Sequence, residues 1–129
     1  MDVQLVRGLL ERGMACVNAR DIDGMLDLVH PDARWSAPTG ATSADAFEGR
    51  EGVREFIHEW LEAWDGFHQE LLDLELSGSR ALARVRVRAR GETSGVEFDA
   101  DVGYVVEVAD DQVISFELFT SYDDAAAAF

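Results

Sequence analysis

Apart from its many carboxylates, this sequence has few side chains that can move a proton or hold a metal: three histidines, one cysteine and two tyrosines among 129 residues. His58-Glu59-Trp60-Leu61-Glu62 begins like a zinc-binding helix but lacks the second histidine. His58 and Glu62, four residues apart, fit a solvated helix face instead. Asp21-Ile22-Asp23-Gly24 starts like a calcium loop, yet Leu26 stands where that loop needs glycine, so helix capping accounts for it better. His30, beside Pro31 at an expected helix end, reads as a surface residue. No glycine-rich phosphate loop and no convincing Ser-His-Asp set is visible. Neither a metal nor a cofactor is expected.

The densest charge motif is RVRVRAR, residues 84–90. Strand alternation puts Arg84, Arg86, Arg88 and Arg90 on one face, and Ala81, Ala83, Val85, Val87 and Ala89 on the other. Asp73 and Glu75 before the stripe, and Glu97, Asp99, Asp101 and Glu107 after it, fall on the arginine face. The stripe therefore reads as a ladder of cross-strand ion pairs, each worth about 0.2–1 kcal/mol. Val105, Val113 and Phe119 share that outer face. Apolar residues among paired charges suggest a subunit interface, so a homodimer through this face is expected.

Composition narrows the partners. The formal net charge is −15, and a chain that acidic repels phosphate, which argues against nucleic acid. All the basic residues are arginine, as a GC-rich bacterial coding sequence would give. No run of eighteen apolar residues offers a membrane span, and the N-terminal residues have no apolar leader core. The lone Cys16 fits a reducing cytoplasm. The length suits one domain, residues 1–129, able to bury a core without disulfides.

The elements that must position these residues follow from periodicity. Val3, Val6, Leu9, Leu10, Met14 and Val17 mark an amphipathic helix over 3–19. Asp21 or Asp23 caps a second, short helix, stopped at His30-Pro31. A short strand covers 34–37, and 38–49 is a loop. A third helix covers 50–65, with Val53, Phe56, Ile57, Trp60, Leu61 and Trp64 on one face. The period then becomes two: strands at 67–77, 80–91, 96–109 and 112–122, with a loose tail. This is an α+β fold, three N-terminal helices packed in a curved antiparallel sheet.

The inner sheet face carries Phe98, Val102, Tyr104, Ile114, Phe116, Leu118 and Thr120, with Tyr122 at its end. Trp35 and the third-helix stripe lie opposite. Ala81, Ala83, Ala89, Ala100 and Gly13 are small for a sheet that must cover helices. Aromatic residues separated by small ones suggest a cavity, lined by Trp35, Phe56, Trp60, Phe98, Phe116 and Leu118, with Thr120 to orient a polar group.

Three segments in this order, VNARDIDGMLDLVHPDARWSAP (17–38), GREGVREFIHEWLEAW (49–64) and ADDQVISFEL (109–118), resemble the SnoaL-like branch of the NTF2-like superfamily. The resemblance implies a cone: a bent sheet around helices, an apolar pocket at the open end, and dimerisation through the outer sheet face. Members include ketosteroid isomerases, polyketide cyclases, dehydratases, epoxide hydrolases and non-catalytic binders, so the fold does not choose among them. The ketosteroid isomerase positions fall on Gly13, Ala37 and Tyr104, and the carboxylate base at Ala37 is absent. SnoaL-type cyclases have an aspartate where Tyr104 stands. The inward Asp-Arg-Asp set of limonene-type epoxide hydrolases has no match, because the arginines alternate outward.

Some dehydratase-like members carry a histidine near His68. Its parity with Leu72 and Leu74 turns it inward, whereas a bulge near Leu71-Leu72 would turn Gln69 inward instead. The resemblance therefore implies a cofactor-independent isomerase, cyclase or dehydratase acting on a small apolar cyclic or polyketide-like molecule. Tyr104 would donate a proton or hydrogen bond, and His68 would be the base. The alternative is a non-catalytic small-ligand binder, or an accessory protein that uses the fold to dimerise. The discriminator is whether His68 faces Tyr104 across the cavity within about 3.2 Å, directly or through one water.

Overall fold

The computed structural model describes residues 2–37, 46–91 and 95–129. Most of the expected 38–49 loop and the centre of the 91–95 turn therefore lie outside the described residues. Helix α1 (Val3–Asn18) starts where the Asp2 side chain accepts from the Gln4 N–H, and it buries Val6, Leu9, Leu10, Gly13, Met14 and Val17. Helix α2 (Ile22–Leu26) is capped by Asp21, whose carboxylate accepts from the Gly24 N–H. That settles the choice between Asp21 and Asp23. Strand β1 (Val29–Ser36) and the two-residue β2 (Phe47–Glu48) lead into helix α3 (Gly49–Glu62). Strands β3 (Trp64–Ser77), β4 (Arg80–Gly91), β5 (Glu97–Ala109) and β6 (Gln112–Phe119) follow, and then helix α4 (Tyr122–Ala128).

These strands form one curved, unclosed sheet in the order β2-β1-β6-β5-β4-β3, as the α+β reading expects. The sheet is not wholly antiparallel: β1 runs parallel to β6. That pairing is irregular between Val29 and Arg34, where Pro31 has no N–H to give. The third helix is also shorter than periodicity suggests. Trp64 pairs with Gly91 in the ladder, so strand pairing claims the backbone from residue 64 onward. Trp64 still touches the helix stripe, with its ring centroid 5.8 Å from that of Trp60.

The arginine ladder forms, but on one side. Arg86 reaches Asp99 through two hydrogen bonds of 2.9 and 3.1 Å, Arg84 reaches Asp101 at 3.2 Å, and Arg90 reaches Glu97 at 3.3 Å. All these partners lie on β5. On β3 the residue opposite Arg86 is Glu70 and the one opposite Arg88 is His68. The hydrogen bonds from Arg86 hold the Asp99 carboxyl below its ordinary value.

The residues after β6 do not hang loose. Helix α4 lies on the outer sheet face and encloses Leu82, Val105, Phe119 and Ala125 in a second small core. Arg84 stacks on the Tyr122 ring at 3.8 Å, and Arg80 donates to the carbonyls of Phe129 and Ala128. The apolar ground for the expected dimer interface is thus taken within the chain. Val113 is not part of it: a register shift between Glu107 and Val108 turns it into the main core.

Two outcomes test this arrangement. Gly103 sits where a Cβ would collide with the Cβ of Ala125. Gly103→Ala should lose about 1–3 kcal/mol of stability in urea unfolding through overpacking, and Ala125→Gly should restore part of it. Asp99 contributes stability above the unfolded aspartate value near 3.9, and that contribution disappears as pH falls below it. In Arg86→Ala, an NMR titration should place Asp99 closer to that ordinary value.

Candidate functional site

Inside the sheet, α1, α2 and α3 do not fill the space completely. A cavity of about 60 Å³, measured for the centres of water-sized molecules, remains. A buried water needs roughly 10–15 Å³ by that measure, so the void holds a few waters. Its walls are almost wholly apolar. Leu9, Gly13, Met14 and Val17 come from α1, Phe56, Ile57 and Trp60 from α3, and Trp35, Phe116 and Leu118 from the sheet. The aromatic wall is ordered by its own contacts: Trp35 stacks on Phe116 at 4.3 Å, and Phe56 stands edge-on to both at 5.6 and 5.9 Å. The gap expected beside Gly13 is occupied by Met25, whose sulfur lies 3.0 Å from where a Cβ on Gly13 would sit.

Two polar side chains meet in this wall. The buried Tyr104 hydroxyl donates to Gln69 Oε1 at 2.5 Å. Burial pushes the Tyr104 hydroxyl well above the usual phenol range, so it stays a neutral donor wherever the fold persists. Gln69 is 7% exposed. Its backbone is held by Asn18, and its Oε1 accepts from Tyr104. A third polar atom, Trp35 Nε1, is buried without a partner among the described residues. The polar side chains of the cavity lining are thus an amide, an indole and a phenol, all uncharged.

His68 is not in this wall. It is exposed on the outer face, opposite Arg88 on β4. The cause is local. Leu71 pairs with Val85 and Asp73 with Arg84, which leaves Leu72 as an extra, bulged residue, 42% exposed. The bulge breaks the parity that linked His68 to Leu74 and turns Phe67, Gln69 and Leu71 inward. Of the expected lining, Trp35, Phe56, Trp60, Tyr104, Phe116 and Leu118 come together around the cavity. Phe98 does not: it packs on Trp64 at 5.7 Å, beyond the cavity. Thr120 follows the end of β6 and is exposed. Met14, Met25 and Val17 belong to the lining and were readable only as helix-face residues. No cluster of His, Cys, Asp or Glu among the described residues is arranged to hold a metal ion. No described helix is long and apolar enough to cross a membrane.

The comparisons with known proteins agree with this architecture. The model of the SnoaL-like domain matches residues 10–116. An NTF2-like protein of unknown function from Burkholderia pseudomallei shares the fold at a TM-score of 0.80 and 18% identity, over 98% of this chain and 97% of that one. A putative SnoaL-like polyketide cyclase from Jannaschia superposes at 0.78 with 19% identity, covering 97% and 91%. TerC, co-crystallised with polyporic acid, superposes at 0.77 with 17% identity, covering 93% and 94%. No curated protein matches the sequence significantly.

The Tyr104–Gln69 pair makes its own prediction. Tyr104→Phe leaves a buried amide oxygen unpaired and should cost about 1–3 kcal/mol in urea unfolding. Adding Gln69→Leu should cost less than the sum of the two single changes, the sign of a direct contact. His68→Ala should stay within about 0.5 kcal/mol of the parent.

Proposed function

The chain belongs to the SnoaL-like domain family, and we propose that its cavity binds a small, neutral, mostly apolar molecule anchored by an oxygen atom on Gln69. The observation that supports this most is the Tyr104–Gln69 hydrogen bond in an otherwise apolar wall. Tyr104 occupies the acceptor side of the Gln69 amide and leaves its N–H donors for a carbonyl or ether oxygen. Trp35 Nε1 is a further donor in the same lining, unpartnered among the described residues. A charged ligand would lose its hydration here and meet no opposite charge among the described lining residues. TerC, which shares the fold, has been crystallised with an organic compound, and this favours a ligand-bearing reading.

His68 stands outside the cavity, so the binding reading comes before the acid–base one. Family membership favours a second reading, a cofactor-independent isomerase or cyclase. In that case the protein's part would be electrostatic. Charge developing on a substrate oxygen would be met by the Gln69 N–H, while Tyr104, whose single proton goes to Gln69 Oε1, would hold that amide in place.

Thermal shift against steroids, terpenoids, polyketide fragments and single-ring ketones tests the proposal. A true ligand at 100 times its dissociation constant stabilises by about 2.7 kcal/mol. The effect should weaken in Gln69→Leu and persist in His68→Ala. A ligand that stabilises the parent and Gln69→Leu equally would move the anchor elsewhere. Turnover of the ligand, abolished in Tyr104→Phe, would promote the second reading.

A further inference from the structure

We infer that Asn18 is a positioning residue that selects Gln69, rather than His68, as the polar side chain of the cavity. The importance of this choice rests on the ligand-site reading above, but the structural claim does not. Asn18 is the last residue of α1. Its Nδ2 donates to the Gln69 carbonyl at 2.9 Å, and its Oδ1 accepts from the Gln69 N–H at 3.0 Å. One side-chain amide thus satisfies both backbone groups of one residue, as a neighbouring strand would.

The site of this grip matters. Strand β3 is the last in the sheet, so one of its edges has no strand partner. Along a strand, the backbone N–H and C=O of a given residue lie on the same edge, and the edge alternates in step with the face of the side chain. Binding the Gln69 backbone at the free edge therefore commits the Gln69 side chain to one face and His68 to the other. Arg20 Nη2 donates to the Phe67 carbonyl at 3.4 Å, two residues earlier and in the same parity. Phe67 and Gln69 both face inward.

The β4 side fixes the register here only over a short run. The β3–β4 pairing is irregular between Asp65 and His68 and again between Leu71 and Asp73. Only residues 68–71 pair in regular succession between the two shifts. A slip by one residue would exchange the faces of His68 and Gln69. Asparagine suits the lock because its amide has both a donor and an acceptor. Aspartate keeps the acceptor and loses the donor.

NMR of the ligand-free protein tests this. In Asn18→Ala, the nuclear Overhauser contacts between the Gln69 side chain and the Tyr104 ring should be lost, with His68–Tyr104 contacts replacing them in the slipped register. Contacts between Val85 and Val102 should persist and report an intact sheet. Asn18→Leu gives the same reading if the alanine variant does not fold, since it keeps the volume of the side chain and has neither donor nor acceptor. Parent-like Gln69–Tyr104 contacts in a folded variant would overturn the inference, reducing Asn18 to a stabilising contact. An empty ligand screen would leave this test standing, because no ligand enters it.

Discussion

Two surplus residues in β3, one at Gly66-Phe67 and one at Leu72, govern the parity of everything between them. Each makes the strand locally longer than its partner β4, and a strand longer than its partner bends. The bend carries the sheet over α1 and α3 and leaves space that the helices do not fill. The same surplus decides which side chains enter that space. With Leu72 set aside, Gln69 comes in and meets Tyr104, and His68 goes out to the arginine face. Without the bulges the same sequence would present an imidazole to the interior, and its chemistry would be that of a base rather than an amide donor.

The two sheet faces then solve different problems. The outer face keeps Arg84, Arg86, Arg88 and Arg90 of β4 in a strongly acidic chain by giving three of these four residues a carboxylate on β5 within 3.3 Å. Exposed pairs of this kind add little stability individually. Their arginine stems nevertheless cover the sheet, and Arg84 also seats Tyr122 at the start of α4. On the inner face of the same strand, Ala81, Ala83, Val85, Val87 and Ala89 are buried in the main core. Alternation thus produces a solvated ionic surface on one side and a buried apolar one on the other.

Much of this was legible in the sequence, for reasons specific to each residue. Trp35, Phe56, Trp60, Phe116 and Leu118 reach the cavity because helical and strand periodicities place them, and burial enforces both. Tyr104 was legible for the same reason. Gln69 appeared only as an alternative, because bulge position depends on pairing with another strand and leaves no clear local signal. The α4 helix was missed because DDAAAAF has no apolar stripe of its own. It is held by arginines on β4 and by the fit of Ala125 against Gly103, contacts remote in sequence. The parallel β1–β6 pairing is likewise a tertiary choice that neither strand's composition announces.

The size of the cavity constrains what it takes in. At about 60 Å³ it is far smaller than the few hundred Å³ typical of drug-sized ligand sites. A polycyclic guest would therefore have to move part of the wall. The aromatic trio of Trp35, Phe56 and Phe116 is interlocked and resists that. Met14 and Met25 do not share this rigidity: unbranched thioethers refill irregular space at low cost. Trp60 is only half-buried, and its contacts to Trp64 and Phe67 are edge-on, at 5.8 and 6.1 Å. The wall is thus stiff on the sheet side and compliant on the helix side. On the proposed ligand-binding reading, a guest would enlarge the cavity toward α1, α2 and the end of α3, keeping its oxygen at Gln69 and pushing its apolar body against the methionines. The polar anchor and the adaptable wall belong to different layers of the fold, so a change of guest size need not disturb the hydrogen bond that orients it.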